Sequence, residues 1–230
     1  MRDEVLAVVH RANQRGGRML SVVDLIEAGT LSRGQTCALL ARIEQGASWL
    51  VGARPGGAGK TTIMAAFLAM LPAGTRVRVT DENSDWDQAE PGECLVAYEI
   101  SPGHYDGYVW GARVRRLLAL GAAGCRLVSN LHADTVEEAQ DQVVGQCGAS
   151  DQQFGLFSLF LPIELGGSTG RVRRVGCILA YEQGAWRPLD VSAPTSREQV
   201  IGDFLDRCLA CRRRRVEEVR AAWQEQNAGS

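Results

Sequence analysis

Residues 47–71 read Ala47-Ser48-Trp49-Leu50-Val51-Gly52-Ala53-Arg54-Pro55-Gly56-Gly57-Ala58-Gly59-Lys60-Thr61-Thr62-Ile63-Met64-Ala65-Ala66-Phe67-Leu68-Ala69-Met70-Leu71. An apolar run, a glycine-rich loop and an apolar helical stretch follow one another, which predicts strand, loop, helix. Loops of this kind turn successive backbone N–H groups toward an anion, and the helix N-terminus behind them adds the positive end of its dipole. The pattern predicts a nucleotide phosphate site formed by Gly56, Gly57, Ala58, Gly59, Lys60, Thr61 and Thr62. Lys60 is expected to reach the β- and γ-phosphate oxygens, and Thr61 to ligate Mg²⁺. The strict pattern G-x-x-x-x-G-K-[ST] has glycine where this chain has Arg54. The glycines nearest the lysine are kept, so positive φ angles stay accessible there.

Composition makes that lysine stand out. Lys60 is the only lysine among 25 lysines and arginines. An arginine fork does not imitate a compact ammonium in a tight backbone cradle, so the single exception points to a phosphate. The chain has 230 residues, 45% of them apolar and 23% charged, which fits one folded domain with small appendages and excludes a disordered or collagen-like chain. A formal net charge of -2 gives no whole-molecule attraction to nucleic acid, which is not among the expected partners. The longest nearly apolar stretch, Phe154 to Leu165, is too short to span a bilayer and contains Pro162. Acidic residues directly follow Met1-Arg2, with no leader pattern, so the cytoplasm is the expected compartment. The 7 cysteines are odd in number and mostly sit in apolar runs, as buried reduced thiols do. Cys208 and Cys211 form C-x-x-C without a second pair or neighbouring histidines, too few ligands for zinc.

Three further segments read as strands that end in polar groups. Arg76 to Thr80 alternates and ends in Asp81-Glu82. Cys94 to Tyr98 is nearly all apolar, as a central parallel strand is, and ends in Glu99, a carboxylate suited to orienting or deprotonating water. Arg126 to Leu131 delivers His132, with Asp134 and Thr135 just beyond. Between them lie plausible crossovers, the last an amphipathic helix over Val109 to Leu120. Alternating strands and helices predict an α/β fold with a mostly parallel sheet, which binds ligands at the carboxyl ends of its strands.

The order of these motifs resembles the traffic ATPases of type II and type IV secretion, a family that includes pilus assembly and retraction motors and DNA-transfer motors. The resemblance runs from Ser21 through about residue 190. Asp81-Glu82 fall where that family has its acidic box, Glu99 where it has the Walker B glutamate, and Leu131-His132-Ala133-Asp134-Thr135 look like its histidine box. The resemblance implies a RecA-like P-loop core, with the histidine-box strand between the phosphate-loop and Walker B strands. It also implies ATP and Mg²⁺ as ligands, Glu99 activating water, His132 sensing the γ-phosphate, and Asp81 and Glu82 tuning metal or water. Family members work as hexameric rings, often at membrane-associated secretion or pilus machinery, and an arginine can come from a neighbouring subunit. Arg113, Arg115, Arg116 and Arg171 to Arg174 are the candidates within this chain. The segment from Arg171 to Trp186 looks like the family's closing β-hairpin, with Gly184 in the turn; its arginines fit a solvated strand face equally well.

The chain departs from that pattern at Arg54, at Tyr98, where a glycine commonly precedes the glutamate, and at Ile100 to Tyr105, which replace an arginine-containing continuation. The family's sizeable N-terminal domain is expected to be absent or reduced to helices. Three segments are expected: residues 1–45, two or three helices; 46–192, the ATPase core with its closing hairpin; and 193–230, a C-terminal helical extension whose run Arg212 to Arg215 reads as a solvated helix face. The predicted activity is ATP hydrolysis coupled to macromolecular transport or assembly. The alternative is a nucleotide-gated scaffold with negligible turnover.

Overall fold

A computed structural model describes residues 3–13, 16–167 and 172–228. The elements in chain order are α1 (Glu4–Arg11), α2 (Val22–Glu27), α3 (Arg33–Glu44), β1 (Trp49–Gly52), α4 (Lys60–Leu68), β2 (Val77–Val79), β3 (Cys94–Ile100), β4 (Tyr108–Val109), α5 (Ala112–Ala122), β5 (Arg126–Leu131), α6 (Val136–Gln140), α7 (Asp151–Phe154), β6 (Leu159–Gly166), β7 (Val172–Val175), β8 (Leu179–Glu182), β9 (Ala185–Pro188), α8 (Ser196–Ala210) and α9 (Val216–Ala228). The fold is α/β. The sheet runs β2-β3-β5-β1-β6-β8-β9, with β4 added to β3 and β7 to β6. Pairing is parallel from β2 to β6 and antiparallel where β7, β8 and β9 join. The strand that ends in Leu131-His132 therefore lies between the strand before the glycine loop and the strand carrying Glu99.

Strand alternation divides the interior into two layers. Trp49 and Val51 face a core shared with α1 to α4, α8 and α9, whereas Leu50 faces one shared with α5 to α7. The amphipathic pattern of residues 109–120 is realised as α5, two to three residues later than expected, because Tyr108 and Val109 pair with Glu99 and Ile100 of β3.

Helix α4 is the spine of the first layer. From Ile63 on its sequence is apolar all round, and Ile63 through Leu71 are all buried. A buried helix end leaves carbonyls that need donors. Arg220 of α9, only 3% exposed, supplies two, from Nη1 to the carbonyls of Ala69 (2.8 Å) and Leu71 (3.0 Å). Trp223 Nε1 donates to the carbonyl between them, that of Met70 (2.8 Å). Arg220 Nε also donates to Asp3 (2.6 Å), which caps α1 by accepting from the N–H groups of Val5 and Leu6. A positive charge at a helix C-terminus opposes the negative dipole end. Two helices far apart in sequence are thereby fixed to the helix that carries Lys60.

Two expectations need correction. The predicted closing hairpin is two hairpins: β8 and β9 pair across a Gln183-Gly184 turn, whereas Val172 to Val175 turn back along the end of β6. The single C-terminal helix is two. Arg212 has φ +50, which ends the helical path, so Arg212 to Arg215 form the connection between α8 and α9 instead of a helix face. There Arg214 pairs with Glu27, and Arg18 donates to the Arg214 carbonyl.

Burial pushes the Asp3 carboxyl up, but its hydrogen bond and charge pairing with Arg220, with the N–H groups of Leu6 and Val5, hold it below its ordinary 3.8. A carboxyl lowered in the folded state contributes stability that is complete above its unfolded value and is lost as pH falls through the folded value. Arg220→Ala is expected to cost about 3 kcal/mol, because a buried charge partner and two carbonyl donors are lost together. Asp3→Asn is expected to destabilise at pH 7 and to differ little from wild type once the pH falls below that of the lowered carboxyl. Thermal unfolding across pH 2.5 to 7, in steps of about half a unit, checks both.

Candidate functional site

At the end of β1 the chain makes its closest approach to the segment after β5. Gly52 pairs with Leu131, and a Cβ placed on Gly52 would lie 2.5 Å from the Ala133 carbonyl oxygen and 2.6 Å from the Phe160 ring. Only a residue without a side chain lets the two strand ends come together. The loop then climbs away through Gly57 (φ +80) and Gly59 (φ +103), left-handed angles that glycine adopts without strain. Gly59 caps α4, and no side chain accepts from the first N–H groups of that helix. The hydroxyls of Thr61 and Thr62 make no hydrogen bond among the described residues.

Lys60 turns inward from the first turn of α4 and is 7% exposed. Its ammonium donates to the Ala53 carbonyl (3.0 Å), stands 3.1 Å from Glu99 Oε1 and lies 3.3 Å from His132 Nδ1. His132 Nε2 is 3.0 Å from the same Glu99 oxygen, and its Nδ1 is 2.7 Å from the Arg54 carbonyl. Three predicted residues from three different segments thus meet around one carboxylate oxygen. His132 is also held from behind, where Gln142 donates to its carbonyl (2.7 Å).

Glu99 reaches this position through a break in strand pairing. Ala97 pairs with Ser129 and Ile100 with Leu131, so β3 carries one residue more than β5 over that interval. Cys94, Val96 and Tyr98 face the α4 layer, yet Ile100 faces the other layer. Such a bulge re-aims the side chains beside it. Asn130 Nδ2 donates to the Tyr98 carbonyl (2.9 Å), beside the irregularity. Beside Glu99 in the register, Tyr108 donates its hydroxyl to Glu99 Oε2 (2.7 Å). Burial, then the Glu99 hydrogen bond and charge, push the Tyr108 phenol well above its ordinary range, so it remains a donor at neutral pH. Tyr98 fills the position of the expected glycine with a buried ring, and burial pushes its phenol up to about 12.

Arg54, the departure at the loop entrance, ties the loop to the histidine segment. Its N–H donates to Asp134 (2.8 Å), its Nε donates to Glu138 (3.0 Å), and its Nη2 pairs with the other Glu138 oxygen. Glu138 in turn accepts from the Asp134 N–H (2.9 Å). Tyr108, Asn130 and Glu138 carried no signal of their own in the sequence; only the register of β3 against β4 and β5 shows what the first two do.

Asp81 and Glu82 are not brought to this cluster. They follow β2, three strands from β1, and Asp81 is buried against Arg11 (2.7 Å). The arginines of α5 are engaged elsewhere: Arg113 donates to the Thr80 carbonyl (2.7 Å) and covers Trp86, Arg116 donates to the Asp87 carbonyl (2.6 Å), and Arg115 donates to the Cys147 carbonyl. Arg171 lies outside the described residues, whereas Arg173 reaches the loop. All seven cysteines are free, and among the described residues no three His, Cys, Asp or Glu side chains gather to hold a metal. Among the described residues no helix is long and apolar enough to cross a membrane. No family model matches the chain, and no curated protein matches it in sequence.

Because the cluster depends on the contact between β1 and residue 133, Gly52→Ala is expected to destabilise the protein by about 1–3 kcal/mol through overpacking. The same substitution should speed amide exchange in residues 53–59 more than in α9. Hydrogen exchange with mass analysis checks that pattern; equal acceleration in both segments contradicts it.

Proposed function

We propose that the chain binds MgATP at residues 56–62 and hydrolyses it. One observation carries this reading: Lys60, the single lysine, is buried at a helix N-terminus that no side chain caps and shares Glu99 with His132. Loops with left-handed glycines and free N–H groups suit phosphate oxygens. Lys60 would exchange the Ala53 carbonyl and Glu99 for the β- and γ-phosphates. Its departure takes the ammonium away from Glu99 Oε1 and leaves His132 as the neighbour of that oxygen, while Tyr108 keeps Oε2 fixed, so the carboxylate is oriented to accept a proton from attacking water. His132, with its side chain 43% exposed, stands at the open edge of the cluster and is placed to contact that water or the γ-phosphate. The Thr61 hydroxyl is the protein ligand that fits Mg²⁺, which when bound neutralises charge building on the phosphates. Asp81 is not needed in that set, since Arg11 holds it.

The order β3-β5-β1 is the one that the resemblance to traffic ATPases implies, and it supports reading the chain as a motor of that kind. Assembly into a ring and service to a secretion or pilus machine rest on the resemblance alone.

Phosphate release from MgATP tests the proposal. Glu99→Gln is expected to retain ATP binding and to lower turnover by about a hundredfold or more. Lys60→Ala is expected to weaken binding and turnover together. Turnover unchanged in both variants contradicts the proposal. Tight binding without turnover in the wild type contradicts the hydrolytic part and favours the nucleotide-gated scaffold.

A further inference from the structure

Strand β6 runs parallel to β1 and pairs Pro162 with Gly52; its last residues, Ile163 to Gly166, continue past the end of β1 alongside the glycine loop. There β7 pairs with it, Ile163 opposite Val175 and Leu165 opposite Arg173. Residues two apart on a strand share a face. Val175 is buried in the layer that contains α4, so Arg173 faces the α4 side as well. The consequence is visible at the loop: a Cβ placed on Gly59 would lie 3.4 Å from Arg173 Cδ and 3.9 Å from its Nε. The arginine stem lies along the last loop residue, immediately before Lys60. Among the described residues the Arg173 side chain makes no hydrogen bond and no ion pair, unlike that of Arg54 at the loop entrance, which Glu138 holds.

The geometry points to Arg173 as a phosphate-binding residue supplied in cis, which adds a second cation to the anion held by residues 56–62. The inference rests on the nucleotide reading and goes beyond it, for it assigns within one chain the arginine that the resemblance seeks in a neighbour. A free guanidinium presents paired N–H donors that match phosphate oxygens, and an exposed one keeps the reach to meet a ligand as it enters. Because its side chain forms no ion pair among the described residues, no carboxylate has to be displaced first.

The test is calorimetric titration of MgATP, and separately of inorganic pyrophosphate, into wild type, Arg173→Ala, Arg173→Lys and Lys60→Ala. Arg173→Ala is expected to bind both ligands about tenfold more weakly, with the lysine variant between it and wild type. The unliganded unfolding temperature of Arg173→Ala should match wild type, which a merely structural role would not allow. Wild-type affinity should also be unchanged on dilution of the protein. Wild-type affinity in Arg173→Ala, with Lys60→Ala impaired, overturns the assignment of Arg173 and leaves the nucleotide reading standing. Affinity unchanged in both variants overturns the nucleotide reading and this inference with it. Affinity that collapses on dilution overturns the cis assignment.

Discussion

One buried ammonium constrains this molecule more than any other group. Lys60 begins a helix whose remaining turns are closed off on every side by apolar residues, so its charge has nowhere to go but toward the strand ends. A charge out of water needs partners close by. Ala53, Glu99 and His132 supply them, and each stands at the carboxyl end of a different central strand. The sheet order, the bulge in β3 and the glycine at position 52 are all conditions for that meeting.

The clamp on the opposite end of α4 serves the same geometry. Arg220 and Trp223 satisfy the last carbonyls of α4, and Arg220 joins them to Asp3 at the start of the described chain. The helix is therefore fixed at both ends, by an acid and a carbonyl around Lys60 and by a cation and an indole beyond Leu68. Rigidity along the helix leaves Pro55 and Gly56, the exposed part of the glycine loop, as the segment free to rearrange around a ligand, whereas Ala58 is buried in the core.

The central elements were legible because each rests on local signals. Residues 49–71 carry strand, glycine loop and apolar helix in direct succession, and β5 spans Arg126–Leu131, the bounds expected of it. The α/β class follows from alternation. What escaped reading depends on pairing between distant segments. Nothing local distinguishes Tyr108 from other loop aromatics until β4 sets it beside Glu99. Arg173 lay among several candidate arginines until the pairing of β7 with β6, not with β9, gave it a face. The burial of Arg220 is equally silent in a helix that otherwise reads as a charged amphipathic segment. Asp81 sat in a motif position, yet its side chain is held by an arginine from the N-terminal helix, a contact across 70 residues that no spacing rule reports.

Lys60 being the sole lysine makes the central claim directly observable. Protein labelled with nitrogen-15 at the lysine side chain has one amine site, and its resonance reports the surroundings of that single ammonium. MgATP is expected to shift this resonance saturably, pyrophosphate to do the same, and Glu99→Gln to alter its starting position. A resonance that stays in place through millimolar MgATP while the protein remains folded would contradict the assignment of Lys60 to phosphate.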